Sequence, residues 1–181
     1  DLVRSRGLGD VYKRQVPILI VSSGLMQDTL IFGKGEPGGY YSVNCGFPEQ
    51  SRFCQHRTGY KKVGDYNIDY GNDSLVYNLD FLDPCYEYVV KLSLIHNDTK
   101  PCDLQPTIDG QQLPAIRVLP LILDTLRIKI PRNFYEKDHT VRLVLKNLSG
   151  TYSFCQNIKF YRYEPKPKTM SGGGQTASLD K

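Results

Sequence analysis

The stretch from Tyr86 to His96, YEYVVKLSLIH, is the longest uninterrupted β-strand pattern in the chain. Its apolar residues fall on one face by the two-residue period of a strand, and they are Tyr86, Tyr88, Val90, Leu92 and Leu94. The other face carries the polar residues Glu87, Lys91 and Ser93. Because no segment offers an apolar stripe at helical spacing, a second sheet has to cover the apolar face. The stretch therefore predicts an all-β protein.

Shorter alternating segments continue this pattern along the chain, at 74–82, 126–130, 141–145 and 152–160. Turns separate them, which is typical of an antiparallel β-sandwich. We expect segment 74–82 to form a long hairpin with the central stretch, and Asp109-Gly110 to be the tip of a short one. One helical turn is predicted near 131–138, after Pro131. From Tyr40 to Asp73 the pattern is irregular.

Four regions are expected from composition. Residues 1–15 resemble a translated sequencing-adapter scar of the kind found in environmental assemblies, so we predict an unstructured artefact there. Residues 16–39 are predicted to hold N-terminal strands, at Val16–Val21 and Thr29–Phe32, and a glycine-rich loop. Residues 40–164 form the predicted sandwich domain. Residues 165–181, rich in Pro, Gly and Ser, have the composition of a flexible linker that is cut short.

Length and charge exclude several function classes. The chain has 181 residues, enough for one domain, and a formal net charge of +4 with no basic stripe. Nucleic acid is therefore not an expected partner. Val16–Val21 is apolar but far shorter than a membrane span, so none is expected.

The five cysteines show no spacing typical of a zinc site. Cys45 with Cys54, and Cys85 with Cys102, are the candidate disulfides, which an oxidising compartment would permit. These two pairs leave Cys155 without a predicted disulfide partner. No cofactor is predicted, with one exception. The run from Asp65 to Asp73 places oxygen side chains at alternate positions, as calcium requires, and its candidate ligands are Asp65, Asn67, Asp69 and Asp73.

Several turns and strand faces resemble those of galactose-binding-like jelly-roll modules from secreted multidomain bacterial proteins. The residues that carry this resemblance lie at 82–88, 108–110, 130–135, 148–152 and 158–164. The resemblance implies a jelly-roll sandwich in an extracellular or cell-surface protein, with neighbouring domains as partners. It concerns the fold more than any ligand.

A catalytic site is not predicted, because no nucleophile elbow, phosphate-binding loop or metalloprotease motif occurs. Two pairs of acids could in principle act in glycoside hydrolysis, but their positions are typical of exposed loop acids. They are Asp80 with Asp83, and Glu136 with Asp138. The leading hypothesis is a non-enzymatic structural or interaction module.

Two alternatives stay open. One is a carbohydrate-binding module that stacks glycans on Tyr60, Tyr66 and Tyr70 and is stabilised by calcium. The other is a filament subunit, in which Val16–Val21 or Thr29–Phe32 completes the sheet of an identical subunit.

Overall fold

The computed structural model describes residues 19–23, 38–48 and 54–164. These residues form fourteen strands and a 3-10 helical turn at Arg132–Phe134. The strands are β1 (Leu19–Ser23), β2 (Gly38–Asn44), β3 (Cys54–His56), β4 (Gly59–Val63), β5 (Tyr66–Gly71), β6 (Ser74–Leu79), β7 (Glu87–Leu94), β8 (Cys102–Ile108), β9 (Gln111–Gln112), β10 (Ile116–Val118), β11 (Asp124–Ile130), β12 (Val141–Ser149), β13 (Ser153–Cys155) and β14 (Asn157–Tyr163). In this part of the chain, no helix is long and apolar enough to cross a membrane. The predictions for 1–15, Thr29–Phe32 and 165–181 lie outside the described residues.

Two large antiparallel sheets confirm the predicted all-β sandwich. One has the strand order β1-β11-β7-β14-β2, and the other has the order β10-β8-β12-β6-β3, with β9 paired to β8. The central stretch forms β7, in the middle of the first sheet. Side chains from both sheets share one buried cluster, in which Tyr88, Val90, Leu92 and Leu94 are fully covered. The predicted apolar face of β7 is thus the core face.

Successive strands cross from one sheet to the other, as in a jelly roll. The chain passes from β6 to β7, from β7 to β8, and from β11 to β12, and each time it changes sheet. The predicted long hairpin of 74–82 with the central stretch is therefore wrong: β6 pairs with β12 and β3, whereas β7 pairs with β11 and β14. Each of the two strands has an apolar face that the opposite sheet must cover. The crossings leave their connections at the two ends of the sandwich.

The local turn predictions are confirmed. Asp109 and Gly110, at φ +46° and +81°, connect β8 to β9, with Ile108 opposite Gln111. Two consecutive residues with positive φ are what a tight hairpin turn needs. The predicted helical turn is the 3-10 turn after Pro131. Of the predicted strand Val16–Val21, the described part belongs to β1, which pairs with β11 of its own chain.

A third sheet, β13-β5-β4, occupies the region predicted to be irregular. Asp69 of β5 is buried at 1% exposure, which breaks the expected alternation of polar and apolar residues. Its Oδ1 accepts hydrogen bonds from the Gly46 N–H at 2.9 Å and from Arg57 Nη1 at 2.5 Å, and its Oδ2 accepts one from the Tyr77 hydroxyl at 3.0 Å. Since Gly46 follows β2 and Tyr77 lies in β6, this carboxylate joins the third sheet to both large sheets.

Removing the Asp69 carboxylate is expected to destabilise the fold. Asp69→Ala leaves the Arg57 guanidinium, the Tyr77 hydroxyl and the Gly46 N–H without their acceptor, which we expect to lower the free energy of unfolding by about 3 kcal/mol. Asp65→Ala is the matched control, because Asp65 is an exposed carboxylate next to the same strand. It should change stability by less than about 0.5 kcal/mol. Urea denaturation measures both, and equal effects would contradict the role of Asp69.

Candidate functional site

One end of the sandwich carries a solvent-open concavity of about 660 Å³. Two sheet-crossing connections form it: segment 80–86, between β6 and β7, and segment 131–140, between β11 and β12. Its lining residues are Asp80, Phe81, Leu82, Asp83, Asp138, His139 and Thr140. Its volume is in the range of small-molecule sites.

Leu82 and His139 fasten the two segments together. The Leu82 N–H donates to the His139 carbonyl at 3.0 Å, and the His139 ring nitrogen Nδ1 donates to the Leu82 carbonyl at 3.0 Å. Thr140 adds a third link, because its hydroxyl donates to Asp80 Oδ1 at 3.1 Å. The Leu82 side chain is buried and the His139 side chain is exposed. Because Nδ1 carries the hydrogen, Nε2 of the neutral ring is an acceptor.

Two residues of the concavity hold a left-handed backbone. Phe81 has φ +63° and His139 has φ +60°. A left-handed conformation costs a residue with a side chain about 1–2 kcal/mol, and a bulky residue adopts it rarely. Phe81 is 51% exposed and lies at the edge of the concavity. Such strain occurs most often at binding and catalytic sites.

The polar lining is acidic. Three carboxylates line the concavity, those of Asp80, Asp83 and Asp138, and the residues that line it include no lysine or arginine. The Cys85 N–H donates to Asp83 Oδ1 at 2.8 Å, and this hydrogen bond is the main cause that lowers the pKa of Asp83. Asp83 is therefore ionised at neutral pH and accepts hydrogen bonds rather than donating them.

The three predicted sugar-stacking tyrosines do not form one platform. Tyr60 lies opposite Asp69 in the β4–β5 pair, whereas Tyr66 and Tyr70 alternate with Asp69 along β5 and so face the other side. Tyr60 and Tyr66 are exposed, and Arg57 lies 5.4 Å from the ring centre of Tyr60. Tyr70 is half-buried and packs edge-on against Tyr152, 5.9 Å away.

The four candidate calcium ligands are not brought together either. Asp65 and Asp73 lie beyond opposite ends of β5, which as an extended six-residue strand spans about 20 Å. Asp69 points into the interior and already accepts three hydrogen bonds. A single ion with ligands about 2.4 Å away cannot reach all four residues. The oxygen-bearing side chains occur at every second position because β5 is an extended strand.

Neither predicted disulfide is present, and all five cysteines are free thiols. Cys85 and Cys102 lie at opposite ends of β7, about 25 Å apart along an eight-residue strand, far beyond the reach of a disulfide. Cys45 follows β2 of one large sheet, whereas Cys54 lies in β3 of the other. The Cys45 thiol instead lies 3.5 Å from the Tyr77 hydroxyl, and the neighbouring Cys155 thiol together with burial raises the pKa of Cys45 well above its usual value.

Cys102 and His96 lie together but do not form a nucleophile with its base. Cys102 Sγ is 3.5 Å from His96 Nδ1 and 3.2 Å from Asp98 Oδ2. Burial, and then the hydrogen bond to Asp98, raises the pKa of Cys102 to about 12. The protein therefore holds a neutral thiol at neutral pH, whereas cysteine hydrolases attack with a thiolate.

The sequence alone does not reveal the concavity, although it points to the three acids that line it. It places Asp80 with Asp83, and Glu136 with Asp138, in two separate exposed loops, and Glu136 does not line the concavity. Since Leu79 pairs with Val141, the end of β6 and the start of β12 are neighbours, and the loops beside them meet. Both β6 and β12 have polar residues beside the ends that meet, and the sequence shows these residues. It does not show that the two strands pair, so the concavity cannot be recognised from the sequence.

No family model matches this sequence, and no curated protein matches it. Among solved structures, the chain is similar to a family 35 carbohydrate binding module from an environmental isolate, at 12% identity and a TM-score of 0.40, over 73% of this chain and 94% of that one. It is also similar to such a module from Clostridium thermocellum, at 9% identity and a TM-score of 0.38, over 69% and 91% of the two chains. A third is an exo-β-1,3-galactanase from Phanerochaete chrysosporium, at 13% identity and a TM-score of 0.44, over 70% of this chain and 30% of that one. At this identity, ligand chemistry has to be derived from the side chains of this chain.

Substituting Phe81 tests whether its backbone is strained. Phe81→Gly removes the ring and the strain together, while Phe81→Ala removes the ring and keeps the strain. We expect the glycine variant to be the more stable of the two by up to about 1 kcal/mol, because relief of the left-handed conformation outweighs the extra freedom of glycine in the unfolded chain. Thermal and urea unfolding of the two variants measures this difference. A glycine variant less stable than the alanine variant would contradict the strain.

Proposed function

We propose that this chain is a non-enzymatic binding module that takes a neutral or amino sugar in the concavity between segments 80–86 and 131–140. The observation that carries the proposal is the exposed Phe81 ring, held by a strained backbone beside three carboxylates. An aromatic ring provides a stacking surface for the C–H face of a sugar. Carboxylates accept the hydrogen bonds that its hydroxyl groups donate.

The charge of the concavity determines which sugars fit. With three carboxylates and no lysine or arginine among its lining residues, the site repels a uronic acid and attracts an amino sugar. Nε2 of His139 and the Thr140 hydroxyl offer further polar contacts. The carboxylate of Asp83 stays ionised, so it acts as an acceptor rather than as the protonated acid that glycoside hydrolysis requires. Binding without catalysis is what this set of groups supports.

Calorimetric titration of the full chain tests the proposal. Soluble neutral oligosaccharides, amino-sugar oligosaccharides and uronic-acid oligosaccharides form the panel. We expect binding of a neutral or amino sugar, at least about tenfold tighter than that of its uronic-acid counterpart, a difference of about 1.4 kcal/mol. Preference for the uronic acid, or no binding by any sugar, would contradict the proposal.

Substitutions locate the binding site. Phe81→Ala should weaken binding by at least about tenfold, because the stacking surface is lost. Leu121→Ala is the matched control: Leu121 is also an exposed apolar residue with a left-handed backbone, at φ +58°, but it lies outside the concavity. The Leu121→Ala variant should bind the sugar as tightly as the parent chain does. If Tyr66→Ala weakens binding and Phe81→Ala does not, the sugar site is the β4–β5 hairpin instead.

A second candidate function, docking to an identical subunit, is favoured by a separate observation. Leu119, Leu121 and Ile122 are 48%, 65% and 53% exposed, and they form an apolar run between β10 and β11. Clustered exposed apolar side chains are typical of interaction surfaces. Such a module would serve an extracellular or cell-surface protein, as the sequence resemblance implies. Sedimentation with and without Leu121→Asp tests self-association, which the substitution should abolish.

A further inference from the structure

Three side chains able to bind a metal meet at the other end of the sandwich, where β7 passes to β8. They are His96, Asp98 and Cys102, and one ligand atom from each lies within 4.8 Å of the other two. His96 and Cys102 are fully buried, and Asp98 is half-buried, so the cluster has one side open to solvent. The concavity lies at the opposite end of β7, and the two sites share no residue.

The separations between these atoms fit tetrahedral coordination. Cys102 Sγ lies 3.5 Å from His96 Nδ1 and 3.2 Å from Asp98 Oδ2. In a tetrahedral zinc site, with a sulfur at about 2.3 Å and a nitrogen or oxygen at about 2.0–2.2 Å from the metal, these atoms are about 3.5 Å apart. Both distances from the sulfur are therefore close to those around a bound cation, and all three ligand atoms lie within 4.8 Å of one another.

The His96 ring is held in the tautomer that a metal ligand needs. Its Nε2 lies 2.9 Å from the Val118 carbonyl, which can only accept, so Nε2 carries the hydrogen. The electron pair of Nδ1 is then directed at the cluster, where it accepts a hydrogen bond from the Asp98 N–H at 3.2 Å, and a bound cation would replace this hydrogen bond. A backbone carbonyl on the remote nitrogen is the usual arrangement behind a metal-bound histidine. Phe154 fixes the ring plane, with the ring centres 4.8 Å apart.

The turn after β12 shapes the rest of the site. Thr151 holds the Asp98 carboxylate through its N–H, at 2.9 Å, and its hydroxyl, at 2.6 Å. The residue before it is Gly150, where a Cβ would lie 2.5 Å from Cys102 Sγ and 3.1 Å from Asp98 Oδ2. Glycine thus leaves clear the space beside two of the ligand atoms.

We propose that His96, Asp98 and Cys102 bind a divalent cation of the zinc class, with water in the fourth position. A mixed nitrogen, oxygen and sulfur set suits zinc better than calcium or magnesium, which prefer oxygen ligands. Binding forms a metal–sulfur bond, and the thiol proton leaves to solvent. The cation ties the β7–β8 connection to the first residue of β8. The spacing His-x-Asp-x-x-x-Cys lacks a second cysteine or histidine pair, which is why the sequence pattern did not indicate zinc.

Cobalt titration of the full chain, stripped with chelator and kept reduced, tests the proposal. One equivalent of Co²⁺ should produce a thiolate-to-cobalt charge-transfer band and the strong visible bands of a tetrahedral site, and Zn²⁺ should displace it. Cys102→Ser should abolish the charge-transfer band. Cys85→Ser, which removes an exposed thiol at the other end of β7, should leave it unchanged.

Asp98→Asn keeps the shape of the half-buried side chain, so this variant tests metal binding even if Cys102→Ser does not fold. It should weaken Co²⁺ binding by at least about tenfold. Absence of the charge-transfer band from the parent chain, its persistence in Cys102→Ser, or unchanged affinity in Asp98→Asn would overturn the proposal and leave the cluster a hydrogen-bond network. Sugar binding at the concavity would be unaffected by any of these outcomes.

Discussion

The apolar face of β7 has to be covered, and the rest of the structure follows from this requirement. Tyr88, Val90, Leu92 and Leu94 are fully buried because the second large sheet lies across them. The chain crosses between the two large sheets from β6 to β7, from β7 to β8 and from β11 to β12, so these connections lie at the two ends of the sandwich. Polar groups distant in sequence meet there. The concavity brings segments 80–86 and 131–140 together in this way, and the His96–Asp98–Cys102 cluster lies in the connection at the other end.

The centre of the sandwich and its two ends differ in how tightly their residues are held. At the centre the apolar side chains of both large sheets form one buried cluster, and the buried Asp69 accepts three hydrogen bonds. The concavity, in contrast, contains two left-handed residues whose strain the surrounding contacts have to offset. Leu82 supplies part of this compensation, because its side chain is buried and its backbone is fastened to His139 through two hydrogen bonds. The exposed Phe81 ring next to it is positioned by that anchor.

The sequence was informative where local rules decide the outcome. Alternation identified β7 and its core face, Asp109-Gly110 identified the hairpin, and Pro131 identified the helical turn. Predictions from the sequence were wrong where a contact between distant segments determines the structure. The sequence of β5 resembles a calcium loop partly because of Asp69, whose carboxylate points inward. Its hydrogen-bond partners, which include Gly46 and Tyr77, cannot be recognised from the local sequence. The disulfide expectations failed because spacing does not show that Cys85 and Cys102 flank an extended strand.

Sugar binding in the concavity between segments 80–86 and 131–140 can be measured residue by residue. The amide chemical shifts of the isotope-labelled chain are followed during titration with the neutral or amino sugar that binds best. We expect saturable shifts centred on Phe81, Asp83 and His139, with one common dissociation constant, and their loss in Phe81→Ala. Shifts centred on Tyr66 and the β4–β5 hairpin, or no shifts with any sugar, would contradict it.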